Sequence, residues 1–389
     1  MPMREEVKLY FRRLIPLLIL FVGFPLLSYL IWRFFPDKSL QVILVDKTVP
    51  NREYREHTGV IWALNHGKFK KNSGEDYRVD QDYFGFFPAD NKTDKGVVKD
   101  LDGKSEEEMK ELVSESDMVV LSDTYGVYES DFMPVQQEKK IYGGLSRAEI
   151  ELIREAKEQG KFLISEFNSM ASPTPKSIRA EFENLMGVKW TGWIARYFDE
   201  LNPSLNSEIP LWLVEKYTFQ DKPWDFNGPG MVFIKDTGEV EVFVYGQDYQ
   251  NKVPLIRTQK INKHGYKLPQ VIPYPDWIDI VLVERDYQVI SYYDIDPSTT
   301  GYERLRRMGL PRFFPSAVYR EVNGGRQYYF SGDFSDMDPN LGYHTFAGLP
   351  MLWRGFYVTA DHTNRHSFYW NYFQPLLEQI FDQAANKNQ

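Results

Sequence analysis

From Leu14 to Trp32 the chain runs for 19 residues without a charged side chain, and no other feature constrains its fold and location as strongly. As a helix this run spans roughly 28 Å, close to the hydrocarbon thickness of a bilayer. Pro16, Gly23 and Pro25 lie inside it; they weaken a helix in water but are tolerated in lipid. A cleaved signal peptide calls for a shorter apolar run and a small-x-small cleavage site. Here the run ends in Ser28-Tyr29-Leu30-Ile31-Trp32-Arg33 instead. The expectation is a single-pass anchor at residues 14–34 whose partner is the lipid bilayer, contacted through Leu14–Trp32. Arg4, Lys8, Arg12 and Arg13 precede the run, and Arg33 and Lys38 follow it. The Arg12-Arg13 pair favours a cytoplasmic tail at residues 1–13, which puts the body from residue 39 onward outside the cytoplasm, at the cell membrane.

Residues 1–38 carry a net charge of +3 within a chain of −9, so the body carries −12. A phosphate backbone needs a basic face, so nucleic acid is excluded as a partner. The chain has no cysteine, which removes disulfides, thiolate metal sites and cysteine nucleophiles. Nothing in the sequence calls for a cofactor or a metal.

Beyond the anchor, apolar runs bounded by turns alternate with segments that read as helices. QVILV (41–45), YFGFF (83–87), DMVVLS (117–122) and KFLIS (161–165) read as strands. Ser105 with Glu108 and Ser146 with Glu149 have the spacing of capping boxes, each opening a helix. This alternation predicts an α/β fold with a doubly wound, mainly parallel sheet over residues 39–200. From about residue 228 the texture changes. Residues 231–234 and 240–245 flank Asp236-Thr237-Gly238 as a hairpin, and further strands are expected at 278–283, 289–293 and 327–330. Residues 201–389 therefore read as an elaborated α+β half, either a separate unit or a completion of the same sheet.

Three apolar runs end directly in an acid: Asp46, Asp123 and Glu166. A fourth, QYYFSG, is followed by Asp333. Open α/β sheets bind ligands beyond the carboxyl ends of their strands, so parallel strands would line these acids along one edge. Clustered carboxylates split into an acid and a base, or they bind a hard cation. Asp123 and Glu166 are the candidate catalytic pair, with Asp46, Tyr125, Asn168 and Asp333 as candidate ligand-binding residues around them. The alternative is structural, since acids at strand ends also cap helices and satisfy loop amides. The stretch KWTGWIARYF (189–198) adds Trp193 and Arg196 as candidate sugar contacts, against the alternative of a strand buried on both faces.

Familiar motifs are missing. His362 and His366 are four apart but lack the glutamate of the H-E-x-x-H zinc motif. Gly228-Pro229-Gly230 is not a nucleotide loop, and no G-x-S-x-G elbow occurs.

The order of strand, Asp123-Thr124-Tyr125-Gly126 loop, Gly143-Gly144-Leu145-Ser146 helix start and Gly160-Lys161-Phe162-Leu163-Ile164 strand resembles the class I glutamine-amidotransferase-like superfamily. Its ThuA-like, non-amidotransferase members are the closer comparison, over residues 40–190. The superfamily's amidotransferases carry a nucleophilic cysteine on a strand-to-helix turn; Glu166-Phe167-Asn168 stands at that place here, which excludes glutaminase chemistry. The resemblance implies a scaffold able to host other chemistry or none. The expected role is a binding or scaffolding protein of a polysaccharide-related cell-envelope assembly, with a glycan or membrane-protein partner. The alternative is a carboxylate-dependent hydrolase acting on envelope glycan.

Overall fold

A computed structural model of the protein describes residues 12–89, 96–134, 138–261 and 263–387. Most of the tail expected at residues 1–13 therefore lies outside the described residues. The first element, α1 (Arg12–Arg33), is one helix of 22 residues, long and apolar enough to cross a membrane; a signal sequence passes the same test. Its apolar window has no buried residue. Only Trp32, at the end of α1, is buried, donating its indole N–H to the His66 carbonyl at 2.9 Å. Lys68 Nζ fixes the same junction from the other side, donating to the carbonyls of Arg33 and Phe35 at 3.0 and 2.8 Å.

The first half of the body contributes β1 (Val42–Asp46), β2 (Phe84–Pro88), β3 (Gly96–Lys99), β4 (Met118–Asp123) and β5 (Phe162–Glu166). The second contributes β6 (Val188–Phe198), β7 (Gly230–Lys235), β8 (Val240–Val244), β9 (Leu255–Thr258), β10 (Val271–Pro273), β11 (Ile278–Val283), β12 (Gln288–Asp294), β13 (Phe314–Val322) and β14 (Gly325–Phe330). One sheet of ten strands runs in the order β10-β9-β12-β13-β14-β5-β4-β1-β2-β3, so both halves of the sequence build it. A second sheet of four strands runs β8-β7-β6-β11.

The sequence predicts a doubly wound, mainly parallel sheet, and the structure corrects this to a mixed one. Only the centre, β14-β5-β4-β1-β2, is parallel. The flanks β10-β9-β12-β13-β14 and β2-β3 are antiparallel, as is the whole four-stranded sheet. The reason lies in chain connections. β13 and β14 are joined by a tight turn at Asn323-Gly324, which forces them antiparallel, and only β14 lies beside β5 in parallel register.

Helices cover both faces of the parallel centre. On one face α2 (Arg55–His66) packs with the C-terminal helix Gln374–Lys387 against alternate residues Val42, Leu44, Val120 and Ile164. On the other, α3 (Glu106–Ser114), α4 (Arg147–Glu158) and α5 (Lys176–Met186) pack against Ile43, Val45, Val119, Leu121 and Leu163. This two-sided burial is why these strands read as continuous apolar runs. Both expected capping boxes form, at Ser105/Glu108 and Ser146/Glu149. Near the C-terminus lie the short α6 (Leu349–Phe356) and then α7 (Gln374–Lys387).

Candidate active site

Parallel pairing carries the ends of β1, β4 and β5 to one edge, as the sequence pattern requires. At that edge the pairing of β1 with β4 slips by one residue, from Val45 opposite Leu121 to Asp46 opposite Asp123. The slip aligns the two aspartates across the strands; bulges of this kind re-aim side chains at functional edges.

Asp46 is fully buried. Its Oδ2 lies 2.5 Å from His57 Nδ1, and its Oδ1 accepts from the Thr48 amide at 2.9 Å. His57 Nε2 faces the Val79 carbonyl at 2.8 Å and must donate to it. A further proton therefore lies between Nδ1 and Asp46. This pair is self-contained, and it holds the N-terminal turn of α2 against the end of β1.

Glu166 is also buried, and both its oxygens are taken by Ser335: Oε1 by the hydroxyl at 2.7 Å and Oε2 by the amide at 3.0 Å. Burial drives its carboxyl well above the ordinary range, against the pull of the Ser335 hydroxyl.

Asp123 meets different partners. Its Oδ1 accepts from the Tyr125 amide at 2.5 Å and its Oδ2 from Asn168 Nδ2 at 3.3 Å. Carboxylate oxygens of Asp123, Asp333 and Glu56 lie within 4.8 Å of one another. Glu56 comes from the first turn of α2, Asp123 from the end of β4, and Asp333 from the loop after β14. Burial pushes Asp123 up to about 7, with the Tyr125 amide opposing and Asp46 adding repulsion. Burial, and then the neighbouring charges of Asp333, Asp336 and Asp123, drive Glu56 well above its ordinary value. Glu56 Oε2 is buried with no hydrogen-bond partner. Asp333 is raised in the same way, with Arg365 opposing. As whole residues Glu56 and Asp333 are half-buried, and Asp123 is buried.

A cationic frame surrounds the cluster. Asp336 accepts from Arg55 at 2.7 Å and from Arg365 at 3.0 Å. Burial works against its charge, but these two guanidinium groups hold its carboxyl below the usual range. Arg365 also pairs with Asp276 at 3.5 Å and donates to the Asp333 carbonyl. The Asp333 amide in turn donates to the carbonyl of Trp277 at 3.2 Å.

Of the residues singled out from sequence, Asp123 and Asn168 join, with Asp333 beside them. Tyr125 stands exposed next to the cluster and packs on Tyr128 at 4.8 Å between ring centroids. Trp193 is buried in the core beneath the four-stranded sheet and offers no open ring. Arg196 pairs with Glu208 at 2.5 Å and lies over Phe198 and Trp277, 5.0 and 5.7 Å from their centroids. Sequence reasoning misses Glu56, Asp336 and Arg365, and with Glu56 it misses that three carboxylates converge. Their oxygens are also a suitable donor set for a hard divalent cation. The available signal was Arg55-Glu56-His57, three titratable residues in a row at the mouth of an otherwise apolar helix.

No protein-family model matches the chain, and no curated protein matches it significantly. Among solved structures it is similar to a ThuA-like protein from Bacteroides uniformis, with 10% identity over 86% of this chain and 98% of the other and a TM-score of 0.34. It is also similar to a β-galactosidase from Bacillus circulans sp. alkalophilus, with 10% identity, 77% of this chain covered and a TM-score of 0.35; the match spans only 30% of the length of that enzyme. A third similar structure is the carbohydrate deacetylase Agd3, with 10% identity over 86% of this chain and 33% of the other and a TM-score of 0.31.

Proposed function

We propose that the chain is a membrane-anchored, carboxylate-dependent hydrolase whose extracytoplasmic body acts on envelope glycan. The convergence of Glu56, Asp123 and Asp333 from three separate elements is the observation that carries this reading. Carboxyl groups this close do not all ionise near neutral pH, so the cluster holds a proton beside a carboxylate. The hydrogen bonds sort the roles. Asp123 receives donors on both oxygens; with burial raising its carboxyl to about 7, it serves in its ionised form, as base or nucleophile, above that pH. Glu56 keeps an unpartnered buried oxygen and is the acid. Separations under 4.8 Å fall short of the ~6.5–9.5 Å that leaves room for water between the carboxyls of inverting glycosidases, and favour a double displacement. Trp277, whose carbonyl accepts the Asp333 amide, and Arg196, which lies over the Trp277 ring, are the proposed sugar contacts.

The test is release of sugar from polymeric and lipid-linked envelope glycans by the purified full chain, followed by mass spectrometry. Wild type should turn over one class of glycan, and Glu56→Gln and Asp123→Asn should abolish turnover while remaining folded. Binding without turnover, unchanged in both variants, would replace the hydrolase by the binding or scaffolding role expected from the sequence.

A further inference from the structure

One apolar surface of the body lies directly beside α1. Ser28, five residues before the end of α1, accepts the Gly348 amide on its hydroxyl at 3.0 Å and the Ala347 amide on its carbonyl at 3.3 Å. Gly348 is the residue before α6. The segment leading into α6 is pinned at two more points. Trp62 Nε1 donates to the Gly342 carbonyl at 2.9 Å, and His66 Nδ1 bonds the His344 carbonyl at 2.8 Å. The Trp32 and His344 rings meet edge to face at 5.8 Å.

The orientation of α6 is equally fixed. Leu349, Trp353 and the following Tyr357, spaced by four, pack on the body core. Arg354 is drawn inward to the Trp370 carbonyl at 2.9 Å and to Gln374 Oε1 at 2.8 Å. The remaining face is Met351, Leu352, Gly355 and Phe356, continued by Val358. Met351 is 74% exposed, Phe356 68% and Val358 64%. From residue 339 to residue 360 the chain has no Asp or Glu, in a protein of net charge −9.

We propose that α6 is a second membrane-embedded element, its apolar face lying at the acyl–headgroup boundary of the bilayer that α1 crosses. This rests on reading α1 as a membrane anchor. Depth supports it: five residues of helix rise about 7.5 Å, so with Arg33 at the membrane surface the start of α6 lies that far below it. Interfacial helices bury their apolar faces roughly 5–10 Å into that boundary. A helix bonded to a spanning helix at this depth has lipid as its neighbour. Absence of acids suits it to an anionic headgroup surface, and Tyr343, 79% exposed in the segment leading into α6, is a side chain favoured at that level.

The chain has no cysteine, so single-cysteine variants take one probe each. We would label Met351→Cys and Phe356→Cys with a polarity-sensitive fluorophore in the full chain, reconstituted into phosphatidylcholine–phosphatidylglycerol vesicles. Phe21→Cys, within α1, reports the anchor. Met133→Cys, exposed beyond the carboxyl end of β4, reports the edge of the sheet away from α1. Spin labels placed shallow and deep on the acyl chain serve as quenchers. The expected result is quenching of the Met351 and Phe356 probes, about twofold stronger with the shallow label, as for a helix at the boundary, with no lipid quenching at Met133. Lipid quenching at Phe21 but none at Met351 and Phe356 would overturn this proposal and leave the anchor standing. No lipid quenching at Phe21 either would overturn the anchor and this proposal with it. Protection of the Met351 and Phe356 probes that rises with protein concentration, without lipid quenching, would assign the face to a second copy of the chain instead.

Discussion

Replacing Asp123 with asparagine should stabilise the protein at high pH while removing its chemistry. Asp123 is only 5% exposed. Its carboxyl is pushed from 3.8 up to about 7, chiefly by burial, with Asp46 adding to it and the Tyr125 amide, Thr48 and Asn168 opposing. The folded protein therefore keeps a proton that the unfolded chain loses between about pH 4 and 7. The stability linked to that proton is fully present below the unfolded value and is lost as pH rises through the folded one. A difference of about 3 pH units corresponds to roughly 4 kcal/mol. Asparagine keeps the shape and carries no charge, so the loss disappears. Its oxygen can still accept from the Tyr125 amide, but its amide nitrogen faces Asn168 Nδ2, at a cost of about 1 kcal/mol. The net expectation is a gain of about 2–3 kcal/mol at pH 8 and a loss of about 1 kcal/mol at pH 4. Urea unfolding of the full chain in detergent micelles, followed by tryptophan fluorescence at both pH values, measures this. Asp279, also pushed up to about 7 by burial, gives the wild type a slope of the same sign, so the quantity to read is the difference between variant and wild type. Equal destabilisation at both pH values would refute the argument, because it would mean that the Asp123 carboxyl is not raised and is already ionised at pH 4 in the native state.

Three further substitutions probe the supports of the site. His57→Ala leaves Asp46 buried without its 2.5 Å partner and should cost about 3–5 kcal/mol in urea unfolding, with part regained in the Asp46→Asn/His57→Ala double variant. Ser335→Ala removes the hydroxyl 2.7 Å from buried Glu166 and should cost about 1–3 kcal/mol by the same measure while sparing turnover. Gly85 has φ 155° and pairs opposite Asp46, where an added Cβ would sit 1.7 Å from the Asp46 carbonyl oxygen. Gly85→Ala should therefore part β1 from β2, lower the melting temperature through a loss of about 3 kcal/mol or more, and cut activity with it.

What could be read from the sequence was local. The capping boxes at Ser105 and Ser146 are written in residues three apart, and both form. The buried parallel centre announces itself because β1, β4 and β5 are apolar on both faces. Sheet direction is decided by non-local pairing: nothing within Gln327–Phe330 says that this strand lies beside Phe162–Glu166. The site follows the same division. Asp123 was visible as an acid ending a strand, yet its partner Glu56 lies 67 positions earlier on a helix and belongs to no motif. Glu166 had the same signature as Asp123, and only the arrival of Ser335, 169 residues away, shows that its oxygens are occupied.

The carboxylate cluster and the apolar face of α6 are joined by the same two segments. Helix α2 begins with Arg55 and Glu56 at the cluster and ends with His66, whose carbonyl holds the indole of Trp32. Ten residues of helix separate them, about 15 Å. The chain that leaves the cluster at Asp333 and Asp336 runs through His344 to α6, then returns to the cluster at Arg365, whose guanidinium bonds Asp336. The loop that carries α6 is thus anchored at both ends by groups that set the charge balance of the site. With the anchor in a bilayer, the cluster stands at most roughly 15 Å above the end of α1, the length of the α2 segment between them. A glycan on a lipid carrier could meet the cluster only by extending that far from the surface, whereas a polymer in the surrounding matrix would meet it without that constraint. Substrate length on a lipid carrier is therefore the variable that separates the two sources: turnover that begins only beyond a minimum number of sugars would place the reaction on membrane-borne substrate.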